Sequence, residues 1–341
     1  MIEMLSGTQL YEWTGSILHE VRQSARDLGF VEIVPAVLST RFEPGARHSV
    51  AVLGHKDLPI VEHVDEEADK RRRIKVMGER AYYLPVSHAV EKQVALEHMN
   101  RVYCLAPCVR LLMDGEHVSR RHLYTFFQIE FELRTEDVAE VFEVGESLLS
   151  SFALRLLDRM SPNLNASSRE RISALVKVPY PRIPFEAAKQ MIASTGPLGS
   201  DLTHAEESEL GAKFQSPFWL CDYPEGVRDS LYRRGTNGLY KTYDLMLPFG
   251  DGELATGGLR PESGEEVVRQ SRMLGKSYNP SYAEWKDRSG IQSGGFGIGL
   301  ERLIKFCTGI RSILDVRMPH DSGPNATIEQ EIGKDSNNDR V

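Results

Sequence analysis

Residues 124–133, Tyr-Thr-Phe-Phe-Gln-Ile-Glu-Phe-Glu-Leu, constrain the fold of this chain more than any other stretch. Apolar Phe127, Ile129, Phe131 and Leu133 alternate with Gln128, Glu130 and Glu132. Successive strand side chains point to opposite faces, so this period predicts a half-buried strand with one apolar and one polar face. Helical stripes lie on either side of it. Leu10, Trp13, Ile17, Val21, Ala25 and Leu28 recur at steps of three and four before Gly29. Val138, Val141, Phe142, Leu148, Leu149, Phe152 and Leu156 mark a long helix over 136–159. Strand-like runs occupy 30–34, 81–85, 102–106, 218–221 and 240–247, with helix signals at 88–99 and 265–275. A glycine-rich strand runs into a helix over 294–306, while 161–216 mixes short helix and loop signals. Hairpin-like strands flanked by helices predict an α+β fold with a mostly antiparallel sheet, not alternating βαβ units.

Composition narrows the function. The 341 residues carry 41 Lys+Arg against 49 Asp+Glu, a net charge of −8. That balance argues against a protein that holds nucleic acid by blanketing phosphates with cations. It leaves room for a small anion held by a few local ones. No apolar run approaches the roughly 20 residues of a membrane span, and the N-terminus lacks the build of a signal peptide, so a cytoplasmic location is expected. Four scattered cysteines do not make a disulfide framework. Cys104 and Cys108 are not spaced as a metal pair and read as free thiols. Residues 41–79 are polar and irregular. The run Lys70-Arg71-Arg72-Arg73-Ile74-Lys75 follows Asp65, Glu66, Glu67 and Asp69, so its charge cancels locally and reads as a solvated loop. The tail at 319–341 is polar and reads as disordered.

Two segments place charge beside core-forming residues. Glu130 and Glu132 share one strand face with Gln128; that face is either solvent or the polar floor of a ligand site, and the pattern alone favours solvent. The second is Gly294-Gly295-Phe296-Gly297-Ile298-Gly299-Leu300-Glu301-Arg302-Leu303. Its glycines let a backbone approach a ligand, and an arginine in the following helix can clamp a phosphate. A dinucleotide fingerprint does not fit, because no βαβ unit with a later acidic residue follows.

Taken in order, these segments resemble the catalytic core of class II aminoacyl-tRNA synthetases of the aspartyl/asparaginyl branch, and most of all the archaeal-type asparagine synthetases related to it. Gly29-Phe30-Val31-Glu32-Ile33-Val34-Pro35 resembles motif 1, which builds the family's dimer interface. Arg110, then Arg120-Arg121-His122-Leu123-Tyr124-Thr125-Phe126-Phe127-Gln128-Ile129-Glu130, resembles motif 2, and the run from Gly295 to Arg302 resembles motif 3. Tyr243-Asp244-Leu245 and Gly252-Glu253-Leu254-Ala255-Thr256-Gly257-Gly258-Leu259-Arg260 are similar to the branch's metal-binding and amino-acid-binding strands. The resemblance implies one class II-like catalytic domain over 1–318 and a homodimer.

It also implies roles. Arg110 would bind the ATP α-phosphate and the attacking carboxylate. Arg302 and His122, with Arg121, would hold the outer phosphates, and Phe126 would stack on adenine. Asp244 and Glu253, with the hydroxyl of Thr256, would bind Mg²⁺, a hard cation that takes oxygen ligands. Ser87 with Lys92-Gln93 resembles the QSPQLxKQ segment of aspartyl-tRNA synthetases. There Lys92 and Arg260 would grip a substrate carboxylate, Glu130 would lie near the amino group, and Asp222 and Gly257 would complete the pocket. The expected reaction is AMP-forming: aspartate is activated as an acyl-adenylate and passed to ammonia or a small amine, giving asparagine. With motif 1 beginning near residue 29, no anticodon-reading barrel precedes the core, so no tRNA partner is expected. The alternatives are an amide ligase for another acid or amine, a truncated synthetase-like enzyme, and a non-catalytic paralogue. Leu112 and Thr125 stand where motif 2 usually has acidic residues, and Val86 and Ala89 replace glutamines around Ser87.

Overall fold

The first amphipathic stripe forms α1 (Gly7–Asp27). Its N-terminus is a reciprocal cap: the Ser6 hydroxyl accepts from the Gln9 amide at 3.3 Å, and the Gln9 side chain accepts from the Ser6 amide at 2.9 Å. Leu10, Trp13, Ile17, Val21 and Ala25 are buried. Gly29 then takes a φ of 77°, the left-handed turn that glycine adopts without a Cβ clash. The computed structural model describes residues 5–39, 50–54, 59–62, 80–110, 123–161, 164–197, 199–225, 227, 231–276 and 278–316. Most of 41–79, with its charge run, and the tail at 319–341 lie outside the described residues.

The order continues with β1 (Val31–Glu32), β2 (Ala51–Gly54), β3 (Pro59–Glu62), β4 (Arg80–Tyr83), α2 (Ala89–Ala95), β5 (Arg101–Val109) and β6 (Thr125–Arg134). Then come α3 (Val138–Met160), α4 (Ala166–Ala174), β7 (Arg182–Pro184), α5 (Phe185–Met191), α6 (His204–Gly211), β8 (Phe218–Tyr223), β9 (Tyr240–Leu247) and β10 (Gly252–Leu259). The last elements are α7 (Gly264–Met273), α8 (Pro280–Ser289), β11 (Ser293–Gly299) and α9 (Leu300–Thr308). One sheet has eight strands in the order β1-β5-β6-β11-β10-β9-β8-β7. Its interior is antiparallel as expected, but both edge pairs, β1–β5 and β7–β8, are parallel. Strand β4 does not join it; it pairs with β2 in a separate three-stranded sheet.

Register sorts the large sheet into two faces. Tyr103, Phe131 and Phe296 lie side by side across three strands, with ring centroids 5.5 and 5.1 Å apart, and Phe30 meets Phe131 edge-on at 5.2 Å. Ile129, Leu133, Tyr243, Leu245, Leu259 and Ile298 extend this face, which packs under Trp13, Ile17, Phe142, Leu149, Leu303 and Phe306 of α1, α3 and α9. Burying a large apolar side chain is worth about 1.5–3 kcal/mol, so this interleaved layer dominates the stability.

The opposite face is polar and thinly covered by glycine. Glu132 pairs with Gly295 and Val102, Glu130 with Gly297 and Cys104, and Thr256 with Gly297 and Asp244. This face is not solvent. Glu130 and Glu132 are 2% and 0% exposed, because α2, α7 and α8 close over one end through Val90, Leu96, Val267, Tyr282 and Trp285. Helix α8 carries no apolar period strong enough to read in advance. Its punctuation was the available signal: Asn279 caps it, Pro280 opens it, and Gly290 ends it at φ 61°. The four cysteines are free, and three of them are buried; burial pushes the Cys104 thiol up to about 12. No described helix is long and apolar enough to cross a membrane.

Candidate active site

At its uncovered end the polar face opens into a cleft of about 610 Å³, open mouth included. Arg110, Phe126, Gln128, Glu253, Thr256, Gly297, Gly299, Glu301 and Arg302 line it, so motif 2, motif 3 and the β10 strand converge as expected. Arg110 leaves the end of β5 exposed, donates to the Val86 carbonyl at 3.3 Å, and lies over the Phe126 ring at 4.9 Å. Arg302, in the first turn of α9, donates to the Glu253 carbonyl at 2.9 Å and to its carboxylate at 2.8 Å. Glu301 beside it accepts from the Phe127 amide at 3.0 and 3.2 Å, tying α9 to β6. Behind α9, Asp251 of the β9–β10 turn accepts from Lys305 at 2.5 Å and also from Arg171 of α4. These bonds hold the arginine and its partner strand in a fixed frame.

The floor does not require its glycine. A Cβ on Gly297 would sit on the polar face, 3.5 Å from Glu130 Cγ and 3.6 Å from Gln128 Cδ. Both are ordinary van der Waals distances, so a small side chain there would meet no clash.

The covered end is a dry ionic frame. Lys92 Nζ lies 3.0 Å from Glu130 and 3.6 Å from Glu132, and donates to the Phe131 carbonyl at 3.3 Å. Arg260 meets Glu132 through two hydrogen bonds, at 2.9 and 2.7 Å. Glu132 also accepts from the Ser293 hydroxyl at 2.9 Å, and Glu130 accepts from the His88 amide at 3.1 Å. Burial alone would favour the neutral forms. The pairing wins: Glu130 and Glu132 are held below the ordinary carboxylate range by Lys92 and Arg260, and Lys92 is held above its ordinary value by the two glutamates. Lys92 and Arg260, expected to take a substrate carboxylate, therefore already have internal ones. Glu132 was not among the expected site residues. Its signal was present as the second acid of the alternating strand, but alternation does not say what covers a face.

The other expected residues divide. Thr256 is in the cleft; its cross-strand neighbour Asp244 is buried and accepts from the Tyr223 hydroxyl. Ser87 is half-buried beside Glu130's end, its hydroxyl accepting from the Ala89 amide at 3.2 Å. Gly257 turns toward the apolar face, where a Cβ would meet Tyr243 at 2.8 Å; only its backbone can reach a ligand on the polar face. Asp222 sits at the register break of β8 with φ 57° and accepts from the Cys221 thiol; it is not among the cleft-lining residues. Arg121, His122 and Leu112 lie outside the described residues.

For Mg²⁺ the donor chemistry fits in part. Glu253 and Thr256 present oxygen to the cleft, as a hard cation requires. The described residues hold no group of three or more His, Cys, Asp or Glu side chains able to bind a metal unaided. A cation here would therefore arrive with phosphate oxygens completing its shell.

The chain is 26% identical over 301 residues to the asparagine–tRNA ligase of Thermococcus kodakarensis, covering 85% of this chain and 63% of that protein. It is 29% identical over 250 residues to the aspartate–tRNA(Asp/Asn) ligase of Methanopyrus kandleri, covering 71% and 56%. The chain thus spans less than two thirds of the length of these relatives. Among solved structures, asparaginyl-tRNA synthetase from Pyrococcus horikoshii complexed with asparaginyl-adenylate shares the fold with a TM-score of 0.76 at 21% identity, over 92% of this chain and 68% of that one. The family model of class II tRNA synthetases (D, K and N) matches residues 8–319, and the chain belongs to that family.

Proposed function

We propose that the chain is an ATP-dependent ligase that activates an aspartate- or asparagine-like amino acid as its acyl-adenylate. The observation that supports this is the cleft itself, where Arg110, Phe126, Glu253, Thr256 and Arg302 converge on the sheet that also carries Glu130 and Glu132 of the ionic frame. A carboxylate oxygen of the amino acid attacks the α-phosphorus, and the bond to pyrophosphate breaks. Arg110 neutralises charge at the α-phosphate. Arg302 exchanges its partner Glu253 for the outer phosphates; Glu253 and Thr256 would hold Mg²⁺, which would supply positive charge to the leaving pyrophosphate. Phe126 offers a stacking face to adenine.

The relatives named above are tRNA ligases, which supports tRNA as the acyl acceptor. Ammonia is the second reading, in which an acidic side chain would have to share Lys92 and Arg260 with their internal partners Glu130 and Glu132. The outer edge of the sheet supports a homodimer: β1 is an edge strand, and Val31, Val34 and Val37 beside it are exposed, Val34 at 96%.

Amino-acid-dependent exchange of labelled pyrophosphate into ATP tests the first half. Exchange with L-aspartate or L-asparagine supports the proposal, and its absence with every acidic and amide amino acid overturns it. Adding ammonium or tRNA then separates the acceptors, by free asparagine against acid-precipitable aminoacyl-tRNA.

A further inference from the structure

The turn between β9 and β10 holds an uncommon backbone. Phe249, Gly250 and Gly252 take φ of 64°, 78° and 80°. Glycine enters that left-handed region freely, but phenylalanine stays there only where its surroundings enforce it. Those surroundings are three helices. Helix α6 packs directly on the turn, where a Cβ on Gly250 would lie 2.8 Å from the Ser208 hydroxyl. Helices α9 and α4 grip one carboxylate: Asp251 accepts from Lys305 at 2.5 Å and also from Arg171. The Arg171 guanidinium in turn lies over the Phe249 and Phe306 rings, at 5.7 and 5.5 Å.

Helix α9 therefore meets one hairpin twice. Arg302 reaches Glu253, and Lys305, three residues on and so on the same side of the helix, reaches Asp251. The two clasps differ in access. Arg302 and Glu253 line the cleft, while Asp251 and Lys305 are not among its lining residues. The Asp251 side chain is 9% exposed, against 27% for Glu253. A ligand that draws Arg302 away opens the first clasp and leaves the second closed.

We propose that Asp251 is a positioning residue that holds Glu253 against α9 while Arg302 is turned to the outer phosphates of a nucleoside triphosphate. This rests on the reading of the cleft as an ATP site. Asp251 acts through the hairpin that carries Glu253 and Thr256. Without its carboxylate the hairpin is free to shift once Arg302 changes partner, and triphosphate binding must then order it again. A nucleoside monophosphate leaves Arg302 on Glu253 and is indifferent to Asp251. A simple field effect predicts otherwise. Removing the Asp251 charge would draw an anion more tightly, and removing the Lys305 charge would release it. Loss of positioning weakens triphosphate binding in both cases.

The test is calorimetric binding of ATP and AMP, each with Mg²⁺, to the full chain in the wild type, Asp251→Asn, Lys305→Met and Lys305→Arg. AMP shares the adenine, ribose and α-phosphate, so the ratio of ATP Kd to AMP Kd isolates the outer phosphates. That ratio should rise about tenfold in Asp251→Asn, the lower end of what losing the support of a ligand-holding group costs. It should also rise in Lys305→Met and return to the wild-type value in Lys305→Arg. A lower or unchanged ratio in Asp251→Asn overturns the inference, as does equal weakening of both nucleotides, which a merely structural role would produce. If Asp251→Asn does not fold, an unchanged ratio in Lys305→Met overturns it as well. So does binding of neither nucleotide by the wild type. The expected ratios without amino-acid-dependent pyrophosphate exchange would instead overturn the proposed function and leave this assignment standing.

Discussion

At the closed end of the polar face, Arg260 meets Glu132 through two nitrogens, with side chains 5% and 0% exposed. At the open end, Arg302 reaches Glu253 through one nitrogen, with side chains 29% and 27% exposed. Both acids stand on strands of one sheet, Glu132 on β6 and Glu253 on β10, while Arg302 comes from α9. The first is buried, and the desolvation of each partner is offset by the pair itself, with Ser293 and Lys92 also meeting Glu132. The second is wet, so either partner can leave for a ligand at little cost. Position relative to α2, α7 and α8, not residue type, separates a structural pair from an exchangeable one.

That contrast can be challenged by experiment. The largest effect is expected from Glu132→Ala, which strands Arg260 and weakens Lys92. It should destabilise the fold by about 3–5 kcal/mol in chemical denaturation, and a loss under about 1 kcal/mol would mean the closed end is wetter than its burial indicates. Next is Arg302→Ala. Its stability should change by less than about 1 kcal/mol, while pyrophosphate exchange should drop about 100- to 1,000-fold. A large loss of stability with retained exchange would invert the comparison. Phe126→Ala should raise the KM for ATP about tenfold, the scale of one lost base-stacking contact. An unchanged KM would assign the ring to Arg110 alone.

The smallest effect is a slope in pH. Glu130 and Glu132 are held below their ordinary value. Their stabilisation is complete above the unfolded carboxylate value of about 4.5 and is lost as pH falls through the folded values. Stability should be level from about pH 7 to about pH 5.5 and then fall. In Glu130→Gln that acid limb should be shallower, as measured by denaturation midpoints; an unaltered limb would place the acid-sensitive charges elsewhere.

Much of the fold was legible because local signals are strong where one face is apolar. The stripe from Leu10 to Ala25, the alternation of 124–133 and the strand at 240–247 all appear where expected. Within 161–216 the elements α4, β7, α5 and α6 are short, three to nine residues, and such lengths give too few periods to read. The site was legible in its parts. Arg110, Phe126, Glu253, Thr256 and Arg302 do converge on one cleft. Glu132 and Asp251 were not foreseen, since an acid on an alternating strand and an acid in a glycine-rich turn both look like solvent-facing residues.

Periodicity, caps and glycine punctuation determine which residues can share a face, because those depend on neighbours a few positions away. They placed Glu130 with Glu132, and Gly295 with Gly297, before any contact was known. What lies opposite each face depends on chain segments more than a hundred residues apart, such as Arg260 with Glu132 and Tyr282 with Gln93. Only the packing of α2, α7 and α8 makes one end of the polar face dry and leaves the other open, and that difference in hydration separates its bound charges from its available ones.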